Sequence, residues 1–136
     1  MQHVQTRSTT SALVLTAVLI ALATLFTMYT KIPVPGIRGY FNVGDVVIMT
    51  SALLLGRKYG AYIGAIGPAL ADLFLGYAVF VPITFVVKGI EGYLVGTVYN
   101  NKTTTSALVA TIVGGIIIVA GYFIAEYFVF DPGVAI

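Results

Sequence analysis

The chain alternates between long apolar stretches and short polar breaks. Most of the stretches approach the length of about 20 residues that an α-helix needs to cross the hydrocarbon core of a bilayer. The breaks contain proline, glycine or polar side chains, which end helices. The pattern predicts an all-α, polytopic membrane helix bundle with five transmembrane helices in one domain, over about residues 11–30, 43–56, 60–77, 79–99 and 106–130.

The composition supports a membrane protein. Of the 136 residues, 59% are hydrophobic and only 9% are charged, whereas soluble domains have about 25% charged residues. In lipid, every backbone polar group must be bonded within the protein, so only helices or a closed barrel can span the bilayer. The unbroken apolar run from Ala107 to Ala125 favours helices, because barrel strands are about ten residues long and alternate apolar with polar positions.

Several functions are excluded by what the sequence lacks. Without cysteine there are no disulfides and no thiolate chemistry, and a single histidine, His3, predicts no metal site. The seven basic residues form no cluster that could follow a nucleic-acid backbone. No phosphate-binding glycine loop and no Ser/His/Asp arrangement is present. We therefore expect neither an enzyme nor a cofactor, and no ATP hydrolysis by this chain itself.

The distribution of basic residues predicts the orientation. Cytoplasmic loops of membrane proteins carry an excess of lysine and arginine. The stretch Gly56–Gly60 is interpreted as a basic turn between helices. A cytoplasmic N-terminus places four basic residues inside and two outside, and is therefore favoured: the inner ones are Arg7, Arg57, Lys58 and Lys102, the outer ones Lys31 and Arg38.

Five ionisable residues fall within or at the ends of apolar stretches: Asp45, Asp72, Lys88, Glu91 and Glu126. Such residues are energetically costly in a membrane unless they are paired or face a water-filled cavity, so each is a candidate functional residue. Lys88 and Glu91 are three positions apart on one helix and can form a pair. Together with Asp72 they could join helices, line a polar pocket or relay protons. Glu126 lies near the end of its helix, and we expect it to extend to the membrane interface.

The segment before the second helix carries aromatic, amide and carboxylate groups at the predicted outer mouth. A pocket there could stack a flat ring on Tyr40 and orient it with Asn42 and Asp45. Alternatively, Asn42 or Asp45 caps the N-terminus of the second helix, a common use of both residue types. The two interpretations are compatible.

Small residues recur at helical spacing on two helices. In lipid they allow helix backbones to approach closely, because packing rather than hydrophobic force drives association. On the third helix, where Gly60 and Gly64 begin the series, they predict packing within the chain. Ala17 and Ala21 on the first helix fit either internal packing or docking against another membrane subunit.

Five stretches together resemble the substrate-binding S components of energy-coupling factor (ECF) vitamin transporters, especially the branch of riboflavin and hydroxymethylpyrimidine binders. They occur in the order found in that family and cover most of the chain: Ile32-Pro-Val-Pro-Gly36, Phe41-Asn-Val-Gly-Asp45, Leu53-Leu-Leu-Gly-Arg-Lys-Tyr-Gly60, Gly67-Pro-Ala-Leu-Ala-Asp-Leu-Phe-Leu-Gly-Tyr77 and Lys88-Gly-Ile-Glu-Gly92.

The resemblance implies a binder of a small water-soluble vitamin or precursor in a prokaryotic cell membrane. It implies docking, through Ala17 and Ala21, onto a transmembrane T subunit that works with two ATPases. It implies a gate role for the loop after the first helix, at Pro33, Pro35, Gly36 and Arg38. The residues expected to bind the substrate are Tyr40, Asn42, Asp45, Asp72, Tyr77, Lys88 and Glu91.

Two other functions fit the residues alone. One is a proton-coupled secondary carrier that uses Asp72, Lys88 and Glu91, and the other is a structural subunit of a membrane complex. S components of the family have six helices, so the resemblance implies a sixth helix after the fifth, or a partner that supplies the missing wall.

Overall fold

A computed structural model of the chain describes residues 9–30, 32–33, 40–99 and 103–129. Its helices confirm the predicted all-α bundle. The first helix is followed by two short antiparallel strands, β1 (Ile32–Pro33) and β2 (Tyr40–Phe41). The five helices are α1 (Thr9–Tyr29), α2 (Gly44–Leu55), α3 (Arg57–Phe74), α4 (Phe80–Val98) and α5 (Thr104–Val129).

Three of these helices, α1, α4 and α5, are long and apolar enough to cross a membrane by length and composition. The other two differ from them. With 12 residues, α2 is about 18 Å long, which is shorter than the hydrocarbon core of about 30 Å. Although α3 has 18 residues, it carries Arg57, Lys58 and Asp72. That α2 and α3 also cross the membrane therefore remains a prediction.

The break between α2 and α3 is shorter than the predicted basic turn. Only Gly56 lies outside the two helices, with a φ of +98° that favours glycine. Arg57 and Lys58 are exposed in the first turn of α3. The prediction of a turn up to Gly60 was wrong because one glycine suffices to redirect the chain, while both basic side chains still reach solvent from a helical turn.

Close contacts between small residues hold the bundle together, as predicted for the third helix. A Cβ added at Gly92 on α4 would lie 2.0 Å from the carbonyl oxygen of Gly60 on α3. One added at Gly64 would lie 2.3 Å from the carbonyl oxygen of Lys88. Moving along α3 from Gly60 to Gly64 corresponds to moving back along α4 from Gly92 to Lys88. The two helices are therefore antiparallel. Similarly, Gly67 on α3 faces Ala23 on α1.

The Gly92→Ala variant is expected to destabilise the bundle, because its new methyl group meets backbone rather than a flexible side chain. Overpacking of this kind costs about 1–3 kcal/mol. Thermal unfolding of the purified protein in detergent measures the loss. Gly115→Ala on α5 is the matched control, since nothing lies within 4 Å of a Cβ at that position. Equal melting temperatures for the two variants would contradict the close α3–α4 contact.

Candidate functional site

Buried polar side chains collect at one end of the bundle. This is the end at which α1, α3 and α5 finish and at which α2 and α4 begin. Because consecutive helices run in opposite directions, residues far apart in sequence meet there. We call this group the polar cluster; its members are Thr27, Asn42, Asp45, Asp72, Thr84, Lys88, Glu91, Tyr122 and Glu126, all buried.

Lys88 lies at the centre of the polar cluster. Its side chain is fully buried, and its ammonium group forms an ion pair and hydrogen bond with Oδ1 of Asp45 on α2. The same Nζ lies 3.7 Å from Oε2 of Glu91, which confirms the predicted pair on α4. It also lies 5.9 Å from the ring centroid of Tyr122, within the range of a cation–π interaction. Lys88 therefore links α2, α4 and α5.

Asp45 joins Lys88 to the start of α2. Its second carboxylate oxygen accepts the backbone N–H of Asn42 at 3.2 Å. The side-chain oxygen of Asn42 in turn accepts the hydroxyl of Thr27 on α1, also at 3.2 Å. The N-cap of α2 is Val43, which makes no side-chain cap bond. The Asp45 carboxylate thus bonds the backbone at the start of α2 and the ammonium group of Lys88 at the same time. The Asn42 side chain does not cap the helix.

A second chain of contacts crosses from α3 to α5. The hydroxyl of Thr84 donates to Oδ2 of Asp72 and lies 2.7 Å from the hydroxyl of Tyr122. Since the single hydroxyl proton of Thr84 goes to Asp72, the hydroxyl of Tyr122 must be the donor in the second bond. Thr84 therefore connects a carboxylate on α3 with a phenol on α5.

Two glutamates complete the polar cluster. Glu91 is 0% exposed, and within the described part of the chain neither of its carboxylate oxygens has a hydrogen-bond partner. Glu126 is also 0% exposed, so the expectation that it extends to the membrane interface was wrong. It shares an inward stripe of α5 with Ile118 and Tyr122, which are four residues apart and buried, and this spacing directs it into the bundle.

The predicted binding residues divide into three groups. Asn42, Asp45, Lys88 and Glu91 are in direct or near contact, and Asp72 joins the same end through Thr84. Tyr77 is 44% exposed in the turn between α3 and α4, at the same end. The side chain of Tyr40 is outside the described residues.

Of the predicted gate loop, the structure describes only the two ends, residues 32–33 and 40–41. The backbone of Pro33 in β1 pairs with Tyr40 in β2, which brings the two ends of the loop together. Pro35, Gly36 and Arg38 lie outside the described residues. The two alanines predicted to dock, Ala17 and Ala21, are exposed one turn apart on α1.

Sequence reasoning missed Thr27, Thr84 and Tyr122. Threonine and tyrosine are common in membrane helices and carry no charge to mark them. The four-residue spacing of Tyr122 and Glu126 was the one available signal, because it places both on the same face of α5.

A separate groove of about 500 Å³ runs between α1 and α2. Its lining is aliphatic except for Thr50 and Ser51, and includes Leu15, Leu19, Leu22, Val46, Val47, Leu54 and Leu55. Such a surface suits contact with lipid, whereas a site for a water-soluble solute needs several converging polar groups. The polar cluster is therefore the candidate site.

Known proteins that match most of this chain include the members of one family and two individual relatives. Residues 7–136 match the family described as "ECF-type riboflavin transporter, S component". A Pyrococcus woesei protein described as "Uncharacterized protein in gap 3′ region" is 41% identical over 116 residues, covering 83% of this chain and 76% of the relative. The thiamine precursor transporter HmpT of Lactococcus lactis subsp. cremoris (strain MG1363) is 32% identical over 107 residues, covering 78% of this chain and 62% of HmpT, less than two thirds of its length.

Proposed function

Because this chain belongs to the family of ECF-type riboflavin transporter S components, we propose that its polar cluster holds a vitamin or vitamin precursor during import. The chain is a membrane-embedded, substrate-binding subunit of a vitamin transporter. The observation that supports the proposed site is the concentration of buried polar groups from all five helices at one end of the bundle. Buried polar groups in a membrane are costly and are typical of substrate pathways.

The end of the bundle that holds the polar cluster faces the cell exterior in this proposal. The exposed Arg57 and Lys58 are at the start of α3, which is the end of the bundle opposite the polar cluster. Basic residues favour the cytoplasmic side, so the polar cluster is on the outer side and the N-terminus is inside the cell.

Import against a gradient needs an energy source outside this chain. A ligand can shift a protein between two states only by its difference in affinity for them, so binding alone cannot accumulate solute. We propose that a transmembrane T subunit and two ATPase subunits supply the energy and that this chain is not an enzyme. In proteoliposomes, uptake should require those subunits and ATP, and an imposed proton gradient should not replace them.

The Thr84→Val variant tests the site directly. Valine keeps the shape of threonine but removes the hydroxyl that joins Asp72 to Tyr122. Loss of a hydrogen bond to a charged group costs about 1.5–3 kcal/mol. Because the proposed site depends on the positions in which this bond holds Asp72 and Tyr122, affinity for the vitamin should fall about tenfold or more. Native mass spectrometry of freshly purified protein identifies the vitamin, and calorimetry in nanodiscs measures its affinity.

The matched control is Thr97→Val on the same helix. Thr97 is exposed, and its hydroxyl bonds only the carbonyl of Tyr93 one turn earlier among the described residues. Its replacement should leave affinity unchanged. An equal affinity in both variants would show that the vitamin binds away from the polar cluster.

A further inference from the structure

Thr27 connects α1 with the segment that enters α2. Its side chain is buried, and its hydroxyl donates to the side-chain oxygen of Asn42 at 3.2 Å. In a helix, a threonine hydroxyl commonly bonds the carbonyl one turn earlier, as the hydroxyl of Thr16 does with the carbonyl of Ala12 on the same helix α1. The hydroxyl of Thr27 bonds another part of the chain instead, so it fixes where that part lies relative to α1.

A second hydroxyl at the same end of α1 holds the neighbouring residue. Oγ1 of Thr30, directly after α1, accepts the backbone N–H of Val43 at 2.9 Å. Two consecutive residues in front of α2 are therefore attached to α1. Asn42 is attached by its side chain and Val43 by its backbone.

The bond between Thr27 and Asn42 depends on a very close approach of α1 to the start of α2. A Cβ added at Gly44 would lie 2.3 Å from Oγ1 of Thr27 and 2.4 Å from Oδ1 of Asn42. It would also lie 3.0 Å from the backbone oxygen of Ala23 on α1. A larger residue at position 44 would therefore push the two side chains apart while leaving both hydrogen-bonding groups in the protein.

Asn42 transmits this constraint to Lys88. Its backbone N–H donates to Oδ2 of Asp45 at 3.2 Å, and Oδ1 of Asp45 bonds the ammonium group of Lys88. Thr27 and these three residues are each at most 5% exposed. Water cannot easily replace a missing partner at such burial, so the position of each group depends on its neighbour. A chain of three hydrogen bonds thus runs from α1 to the centre of the polar cluster.

On these grounds, and resting on the proposed function above, we propose that Thr27 is a positioning residue for the ligand site. Its hydroxyl holds Asn42, and through Asn42 and Asp45 it sets where the ammonium group of Lys88 lies. The ligand meets Lys88, whereas Thr27 acts on the ligand only through the two intermediate residues. A movement of α1 would therefore change the position of Lys88.

The Thr27→Val variant removes the hydroxyl and keeps the shape of the side chain. The first measurement is the side-chain nitrogen NMR signal of Lys88 in protein labelled with 15N-lysine, which is one of four lysine signals and is assigned by its loss in Lys88→Met. Thr27→Val should shift this signal, because Asp45 is no longer held in place. Gly44→Ala should shift it as well, since its methyl group separates Thr27 from Asn42.

The second measurement is ligand affinity, by calorimetry on the protein in nanodiscs with riboflavin and hydroxymethylpyrimidine as probes. For the probe that the unmodified protein binds, Thr27→Val should lower affinity about three- to tenfold, as expected for the loss of one neutral hydrogen bond. Thr27→Ser retains the hydroxyl and should restore both the affinity and the Lys88 signal. Thr16→Val is the matched control on α1 and should change neither.

The possible outcomes separate this inference from the proposed function. If a probe binds but Thr27→Val leaves the Lys88 signal or the affinity unchanged, Thr27 is not a positioning residue and the proposed site stands. Equal losses of affinity in Thr27→Ser and Thr27→Val would also overturn the inference, because the hydroxyl would then not be the group that matters. If neither probe binds and native mass spectrometry finds no other ligand, the proposed function and this inference both fail.

Discussion

The Lys88→Met variant is expected to lose ligand binding and to unfold at a markedly lower temperature. Methionine fills much of the same volume but leaves Asp45 and Glu91 buried without the ammonium group that they share. Removing one partner of a buried ion pair costs about 3–5 kcal/mol. Thermal unfolding in detergent and calorimetry with the native vitamin measure the two effects.

Two further variants separate charge from packing. Lys58→Met makes the same chemical change at an exposed position of α3, where the effect should be within about 0.5 kcal/mol. The double variant Lys88→Met with Asp45→Asn also removes one of the two unpaired charges, so it should regain part of the stability but none of the binding. Vitamin binding by Lys88→Met at native affinity would refute a ligand site at the polar cluster.

The fold was largely predictable because the bilayer restricts what an apolar run can do. All five predicted helices exist, and their ends differ by only a few residues. The largest differences are at the two ends of α3, which starts at Arg57 instead of Gly60 and ends at Phe74 instead of Tyr77. The first of them arose from treating two charged residues as a turn. A first helical turn at the membrane surface accepts charged side chains as readily as a loop does.

It was harder to predict which side chains pair with each other in the polar cluster. Sequence spacing identified the pair of Lys88 and Glu91 because both are on α4. It could not identify Asp45 as the closer partner, since 43 positions separate it from Lys88. Contacts of this kind depend on how α2 packs against α4, and a single sequence does not contain that information.

Glu126 illustrates the limit of reasoning from position along a helix. Its place near the end of an apolar run, beside aromatic residues, suggested the membrane interface. Its depth in the bundle depends instead on which face of α5 turns toward α4, and the buried Ile118 and Tyr122 show that Glu126 shares that face. Once one inward residue of a helix is known, the others follow from the helical repeat.

The Ala21→Trp variant is expected to abolish ATP-dependent transport while leaving ligand affinity unchanged. Ala17 and Ala21 are exposed on α1. Two other residues of this helix are buried in the bundle: Ala23, which is fully buried, and Thr24, whose hydroxyl bonds the carbonyl of Gly67 at 2.9 Å. The two alanines are thus accessible from outside the bundle. Small residues on a free helix face allow another membrane helix to approach closely.

We propose that the T subunit docks on this part of α1, where an indole at position 21 would keep it away. A clash in a packed interface costs about 1–3 kcal/mol, so uptake by proteoliposomes that contain the T subunit and ATPases should fall about tenfold or more, while calorimetry of this chain alone should show native affinity. Ile112→Trp on α5 adds the same side chain at a residue that is 62% exposed and should transport normally. Equal losses of affinity and transport in Ala21→Trp would mean that the alanines stabilise the ligand site, and unimpaired transport would mean that the partner docks elsewhere.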